Sequence, residues 1–141
     1  HPLPAFEQGH QSRLAMLSAV STGLAPRALG PYSQAIQAGP FLFVSGQVPI
    51  DPATGELVQG SIGDQTRRVF QNLGEILKAG GASWQQVVRT TVYLADLGDF
   101  SAMNEVYATF FTSPQPARST IQAARLPRDA RIEVDVIAFL G

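Results

Sequence analysis

Cysteine is absent from all 141 residues. Disulfides, thiolate nucleophiles and thiolate metal sites are therefore excluded. Histidine is nearly absent: there are two, His1 and His10, both at the N-terminal end. From Gln11 onward the chain lacks both the commonest general base and the commonest metal ligand. An excess of charge of either sign is missing too. Ten basic and 11 acidic residues leave a formal net charge of -1, which argues against a strongly nucleic-acid-binding surface. No apolar run approaches the ~20 residues that a membrane-spanning helix needs. An enzyme built from this sequence must work with Asp, Glu, Arg, Tyr, Ser, Thr and backbone groups.

What is present is ample apolar material. At 45% hydrophobic content, residues 16–141 are expected to form a single domain with a real core. Residues 1–15, broken by Pro2, Pro4 and Gly9, show no period and are expected to be a flexible tail, with Met16 a candidate original start. A cytoplasmic location is expected, or an organellar one if that tail is native.

The body reads as alternating strands and helices. Residues 33–38 and 41–47 flank the Gly39-Pro40 turn signal and form a hairpin. Alternation puts Phe41, Phe43, Ser45 and Gln47 on one face, with Leu42, Val44 and Gly46 on the other. Ser61 and Asp64 form a helix-capping pair ahead of Val69, Phe70, Leu73, Ile76 and Leu77, which recur at helical spacing. Gly80-Gly81 ends that helix. A strand over 87–95 places Val88, Thr90, Val92 and Leu94 on one face. Asp99 or Ser101 caps a second helix whose stripe is Phe100, Met103, Val106, Tyr107, Phe110 and Phe111. Pro114 and Pro116 stop it. Strands over 118–123 and 131–140 close the chain. The order β-β-α-β-α-β-β predicts an α+β fold: a mixed sheet with both helices on one face.

The last quarter carries the chemistry. Arg118 and Thr120 share parity on one strand, and Glu133 and Asp135 share parity on the next. The sheet face away from the helices is expected to carry Ser45, Arg118 and Glu133 beside Phe43, Ile137 and Phe139. No element is left to cover that face, so an oligomer with pockets between chains is the economical solution. Read alone, Arg118 is an ion-pairing surface residue and Glu133 a surface strand glutamate. Arg125, Arg128 and Arg131 read as solvated turn and edge charges.

Four motifs occur in order: Gly30-Pro31-Tyr32-Ser33-Gln34-Ala35, Val44-Ser45-Gly46-Gln47, Pro116-Ala117-Arg118-Ser119-Thr120, then Leu126-Pro127 with Ile132-Glu133. Together they resemble the Rid family, and within it the RidA-type enamine/imine deaminases, from about residue 25 to the C-terminus. The resemblance implies a bacillus-type chorismate-mutase-like fold and a homotrimer with clefts between subunits. It implies hydrolysis of 2-iminopropanoate and 2-iminobutanoate to 2-oxo acids and ammonia, with no metal or organic cofactor. The near-neutral charge and the lack of a long apolar run predict no nucleic-acid and no membrane partner. It casts Arg118 as the clamp on the substrate carboxylate and Glu133 as the residue that orients the attacking water. Tyr32, Ser45, Gly46, Asn104 and Thr120 match pocket positions. Thr120 stands where many members carry cysteine, Asp135 where glutamate is common, and residues 112–115 form a shorter segment than is usual. The alternative reading is a non-catalytic module that binds small carboxylates, or an interaction factor, on the same fold.

Overall fold

A computed structural model describes residues 16–141. The expectation for residues 1–15 lies outside the described residues. Strands β1 (Leu17–Val20), β2 (Ala35–Ala38) and β3 (Phe41–Gln47) come first. Helix α1 (Ile62–Ala79), strand β4 (Val87–Leu94), helix α2 (Phe100–Tyr107), β5 (Ala117–Gln122) and β6 (Ile132–Phe139) follow. The six strands lie in the order β1-β2-β3-β6-β4-β5. All neighbours are antiparallel except β4 and β5, which are parallel, as a crossover through α2 requires. The mixed α+β sheet read from the sequence is present, with β1 as one further edge strand. Its four residues are mostly exposed, so no buried alternation marks them.

Helix α1 starts where its sequence directs. Ser61 Oγ accepts from Asp64 N at 3.1 Å, and Asp64 Oδ2 accepts from Ser61 N at 3.2 Å, closing the capping box. The two glycines at its end serve different purposes. Gly81 takes a left-handed φ of +81°. Gly80 has φ -86°; there a β-carbon would strike Leu42 Cδ2 at 2.6 Å, so this glycine lets the helix end press onto β3. The expected Asp99 cap is not made by its side chain. Asp99 instead accepts from Arg131 at 3.0 and 3.1 Å.

Both helices bury their apolar stripes on one face of the sheet. Phe70, Leu73, Ile76 and Met103 are fully buried against Leu42, Val92, Val134 and Ala138, each large side chain contributing about 1.5–3 kcal/mol. Two bulges break the expected alternation. One, between Val44 and Gln47 on β3, turns Gln47 into the core. The other, between Val87 and Arg89 on β4, buries Val87 and leaves Val88 exposed. A bulge adds one residue to a strand and so exchanges the faces beyond it. The opposite sheet face is bare and apolar: Phe41, Phe43, Val88, Ile121 and Phe139 are 38–48% exposed.

Candidate active site

Arg118 lies on edge strand β5 in register with Thr90 of β4. Thr90 points into the core, where its hydroxyl meets the Tyr107 hydroxyl at 2.9 Å. Arg118 leaves β5 on this same helix-covered side, and beyond the sheet edge its guanidinium rests on α2. It sits 4.6 Å from the Tyr107 ring centre and 5.4 Å from that of Phe100, and donates to Asn104 Oδ1 at 2.6 Å. Two aromatic faces and one amide fix the plane of the fork and leave donors free. Thr120, in register with Val92, holds a buried hydroxyl with no partner in the described chain. Gln115 and Pro116 complete a hollow of ≈ 410 Å³ around Arg118.

Glu133 occupies the other face of the sheet. Its chain neighbours Ile132 and Val134 are fully buried, and it pairs across the ladder with Tyr93 of β4. Its carboxyl lies over Gly46: a β-carbon there would stand 2.6 Å from Glu133 Oε2. Gly46 therefore makes room for this carboxylate as well as exposing backbone. Burial raises the Glu133 pKa above the usual carboxylate value, and the Asp135 charge adds to the rise. Ser45 Oγ donates to Ser33 O at 2.6 Å, which leaves its lone pairs available. Tyr32 is exposed, and its hydroxyl accepts from Leu29 N at 3.4 Å. Tyr32 and Gly46 line a cleft of ≈ 460 Å³ with Ile50, Pro52, Pro127 and Arg128.

The shared parity of Arg118 with Thr120, and of Glu133 with Asp135, holds. The expectation that Arg118 and Glu133 lie on one face does not. Parity fixes which residues of a strand go together. Which face they take follows from inter-strand register, and Thr90 beside Arg118 puts that set on the helix side. One chain thus carries two separate groups of candidate residues: Asn104, Arg118 and Thr120 in one, Tyr32, Ser45, Gly46 and Glu133 in the other.

Two buried amides brace the cleft: Gln34, which belongs to the first of the four motifs, and Asn72, which belongs to none. Buried Gln34 accepts from Thr22 N at 2.7 Å and donates to Pro26 O at 2.8 Å, tying down the segment that leads to Tyr32. Buried Asn72 donates to Ile50 O at 2.9 Å and anchors the far wall of the cleft. Arg125 is the expected solvated charge, paired with Asp129 at 2.7 Å, whereas Arg128 is not a bystander. Arg128 and Asp129 both hold left-handed φ, 59° and 57°, at roughly 1 kcal/mol or more each. That backbone aims Arg128 across the cleft mouth, where it donates to Gly55 O at 2.9 Å. Among the described residues no group of three or more His, Cys, Asp or Glu is gathered to hold a metal ion, and no helix is long and apolar enough to cross a membrane.

Gly46→Ala is expected to displace Glu133 rather than unfold the protein. The clash falls on the tip of a side chain that can rotate, a cost of about 1 kcal/mol. A crystal structure of the variant should show the carboxyl swung off β3, with a melting temperature within a few degrees of the parent.

Known proteins resemble this chain in sequence and fold. The chain is 55% identical over 121 residues to Reactive Intermediate Deaminase A, chloroplastic, of Arabidopsis thaliana, covering 86% of this chain and 65% of that protein. It is 48% identical over 122 residues to the 2-iminobutanoate/2-iminopropanoate deaminase of Mus musculus, covering 86% of this chain and 90% of that one. The crystal structure of E. coli TdcF with bound serine superposes with a TM-score of 0.83 at 40% identity, over 86% of this chain and 98% of that one. The family model described as Endoribonuclease L-PSP matches residues 22–140, and the chain belongs to that family, the Rid family to which its motifs point.

Proposed function

We propose that this protein hydrolyses reactive 2-imino and enamine acids, 2-iminopropanoate and 2-iminobutanoate among them, to 2-oxo acids and ammonia. The reading places the reaction in clefts between the subunits of a cytoplasmic homotrimer. The observation that carries it is the pair of residue groups. A cradled guanidinium and a half-buried carboxylate lie on opposite faces of one sheet. The face that bears the carboxylate is otherwise exposed and apolar, with Phe41 and Phe139 rings 5.4 Å apart. A second copy packed on that face covers it, and its edge strand can bring Arg118 of the partner subunit toward Glu133.

In such a cleft the partner subunit's Arg118 grips the substrate carboxylate through its planar fork. The protonated imine nitrogen donates to the free lone pairs of Ser45 Oγ, and Thr120 of the partner subunit, beside that arginine, supplies a further hydroxyl. Glu133 accepts a proton from water as the oxygen adds to C2. Protonated Glu133 then returns its proton to the carbinolamine nitrogen, the C–N bond breaks as Glu133 takes the hydroxyl proton, and ammonia departs to leave the 2-oxo acid. A group with a raised pKa suits this work, because a base nearer the operating pH removes protons more effectively. The substrate is already labile in water, so positioning and one proton relay suffice.

The test generates the imine in situ from an amino acid with an amino-acid oxidase and follows its loss. Accelerated loss, with matching release of 2-oxo acid and ammonia, is the expected result. Binding of 2-oxo acids without acceleration would reduce the protein to a carboxylate-binding module. Light scattering is expected to give three times the 15.1 kDa chain mass. A monomer that is nevertheless active would overturn the divided cleft.

A further inference from the structure

A second carboxylate stands beside Glu133, and the proposed reaction makes no use of it. Asp135 is two residues further along β6 and leaves the sheet on the same outer face, in register with Thr91 of β4. Tyr93 is in register with Glu133, yet its hydroxyl reaches diagonally past that partner and donates to Asp135 Oδ2 at 3.2 Å. A phenol ring opposite Glu133, tethered to the next carboxylate, forms a wall on the β4 side. Gly46 forms the opposing wall on β3. Between them the half-buried Glu133 carboxyl rests in a slot over Gly46.

Resting on the deaminase reading, we infer that Asp135 and Tyr93 are positioning residues for Glu133, holding its carboxyl in the slot over Gly46 through the Tyr93–Asp135 hydrogen bond. The other groups that face this cluster are few. From β4 come Thr91, whose hydroxyl also hydrogen-bonds the Asp135 carboxylate, and Arg89, which donates to Ser119 of β5 at 2.8 Å and whose charge bears on both Asp135 and Tyr93. From β3 come Phe41, Phe43 and Ser45, none of them titratable. Both helices pack on the far face. In the assembled cleft the partner subunit's Arg118 also faces Glu133. Asp135 therefore has two effects. Its oxygen orients the phenol, and its negative charge, after burial, is what lifts the proton affinity of Glu133. Tyr93 itself is raised, by burial first and then by Asp135, so it stays protonated as the donor.

Three variants separate these effects. Asp135→Asn keeps an acceptor for Tyr93 and removes the charge. Asp135→Glu keeps the charge. Tyr93→Phe keeps the ring and removes the tether. The Glu133 carboxyl is followed by carbon-13 resonance across pH, its signal assigned by its loss in Glu133→Gln. In Asp135→Asn the Glu133 midpoint is expected to fall, and the acid limb of kcat/KM to move down with it. Asp135→Glu should restore both. In Tyr93→Phe kcat should fall about tenfold with KM nearly unchanged. A Glu133 midpoint that stays put in Asp135→Asn overturns the inference, as does a Tyr93→Phe defect confined to KM. The resonance measurement needs no turnover. If the parent protein fails to accelerate imine loss while the midpoint still moves, the deaminase reading falls and the link between Asp135 and Glu133 stands.

Discussion

Arg118→Ala is expected to lower kcat/KM for imine loss by roughly 10²–10⁴-fold. The estimate follows from what the guanidinium supplies. In the proposed site a bidentate grip on a carboxylate supplies two charge-assisted hydrogen bonds, each worth about 1.5–3 kcal/mol. Alanine removes both and leaves the substrate free to tumble over Glu133. KM should rise because the contact already exists in the bound ground state, and kcat should fall because C2 is no longer held in line with the water. Arg118→Lys is expected to recover only part of the loss, since an ammonium keeps the charge but not the fork. Folding should be nearly intact in both variants. Arg118 sits on the edge strand, and its cation–π contacts with Phe100 and Tyr107 contribute about 0.5–1 kcal/mol. Steady-state kinetics beside a thermal melt decide the matter. An Arg118→Ala protein that hydrolyses the imine at the parent rate would remove the clamp, and a collapsed melt would assign the residue to structure.

How legible this site was depends on how local its determinants are. The capping box at Ser61 and Asp64 is visible in sequence because both hydrogen bonds lie within one turn. Strand β3 and the apolar stripe of α2 follow from period alone. The failures are all non-local. The bulges that bury Gln47 and expose Val88 arise from pairing with β6, and nothing in Phe41–Gln47 or Val87–Leu94 announces them. Alternation alone puts Arg118 on the wrong face because it carries no sign; the sign comes from Thr90 in the adjacent strand. Gln34 and Asn72 look like ordinary polar residues until their carbonyl partners, 8 and 22 positions away, are in place. The motifs themselves identify the family because they collect residues whose roles meet only in three dimensions.

Mixing two inactive proteins is expected to restore activity. Arg118→Ala lacks the clamp but retains Glu133; Glu133→Gln lacks the base, a loss of roughly 10²–10⁴-fold, but retains Arg118. Each alone forms clefts that miss one half. If every cleft takes Arg118 from one subunit and Glu133 from its neighbour, a mixed ring contains some clefts in which both intact residues meet. Unfolding the two variants together in equal amounts and refolding them gives random rings. Each cleft then has independent even chances of drawing the intact arginine and the intact glutamate, so activity should return to about one quarter of the parent value. Mixing folded rings without exchange should give none. The outcome discriminates sharply, because a site contained within one subunit would be broken in every copy and refolding would recover nothing. The opposite-face placement of Arg118 and Glu133 makes the recovery an expectation of geometry: in one subunit the sheet itself stands between the clamp and the base, and only a neighbour can bring them to the same molecule of substrate.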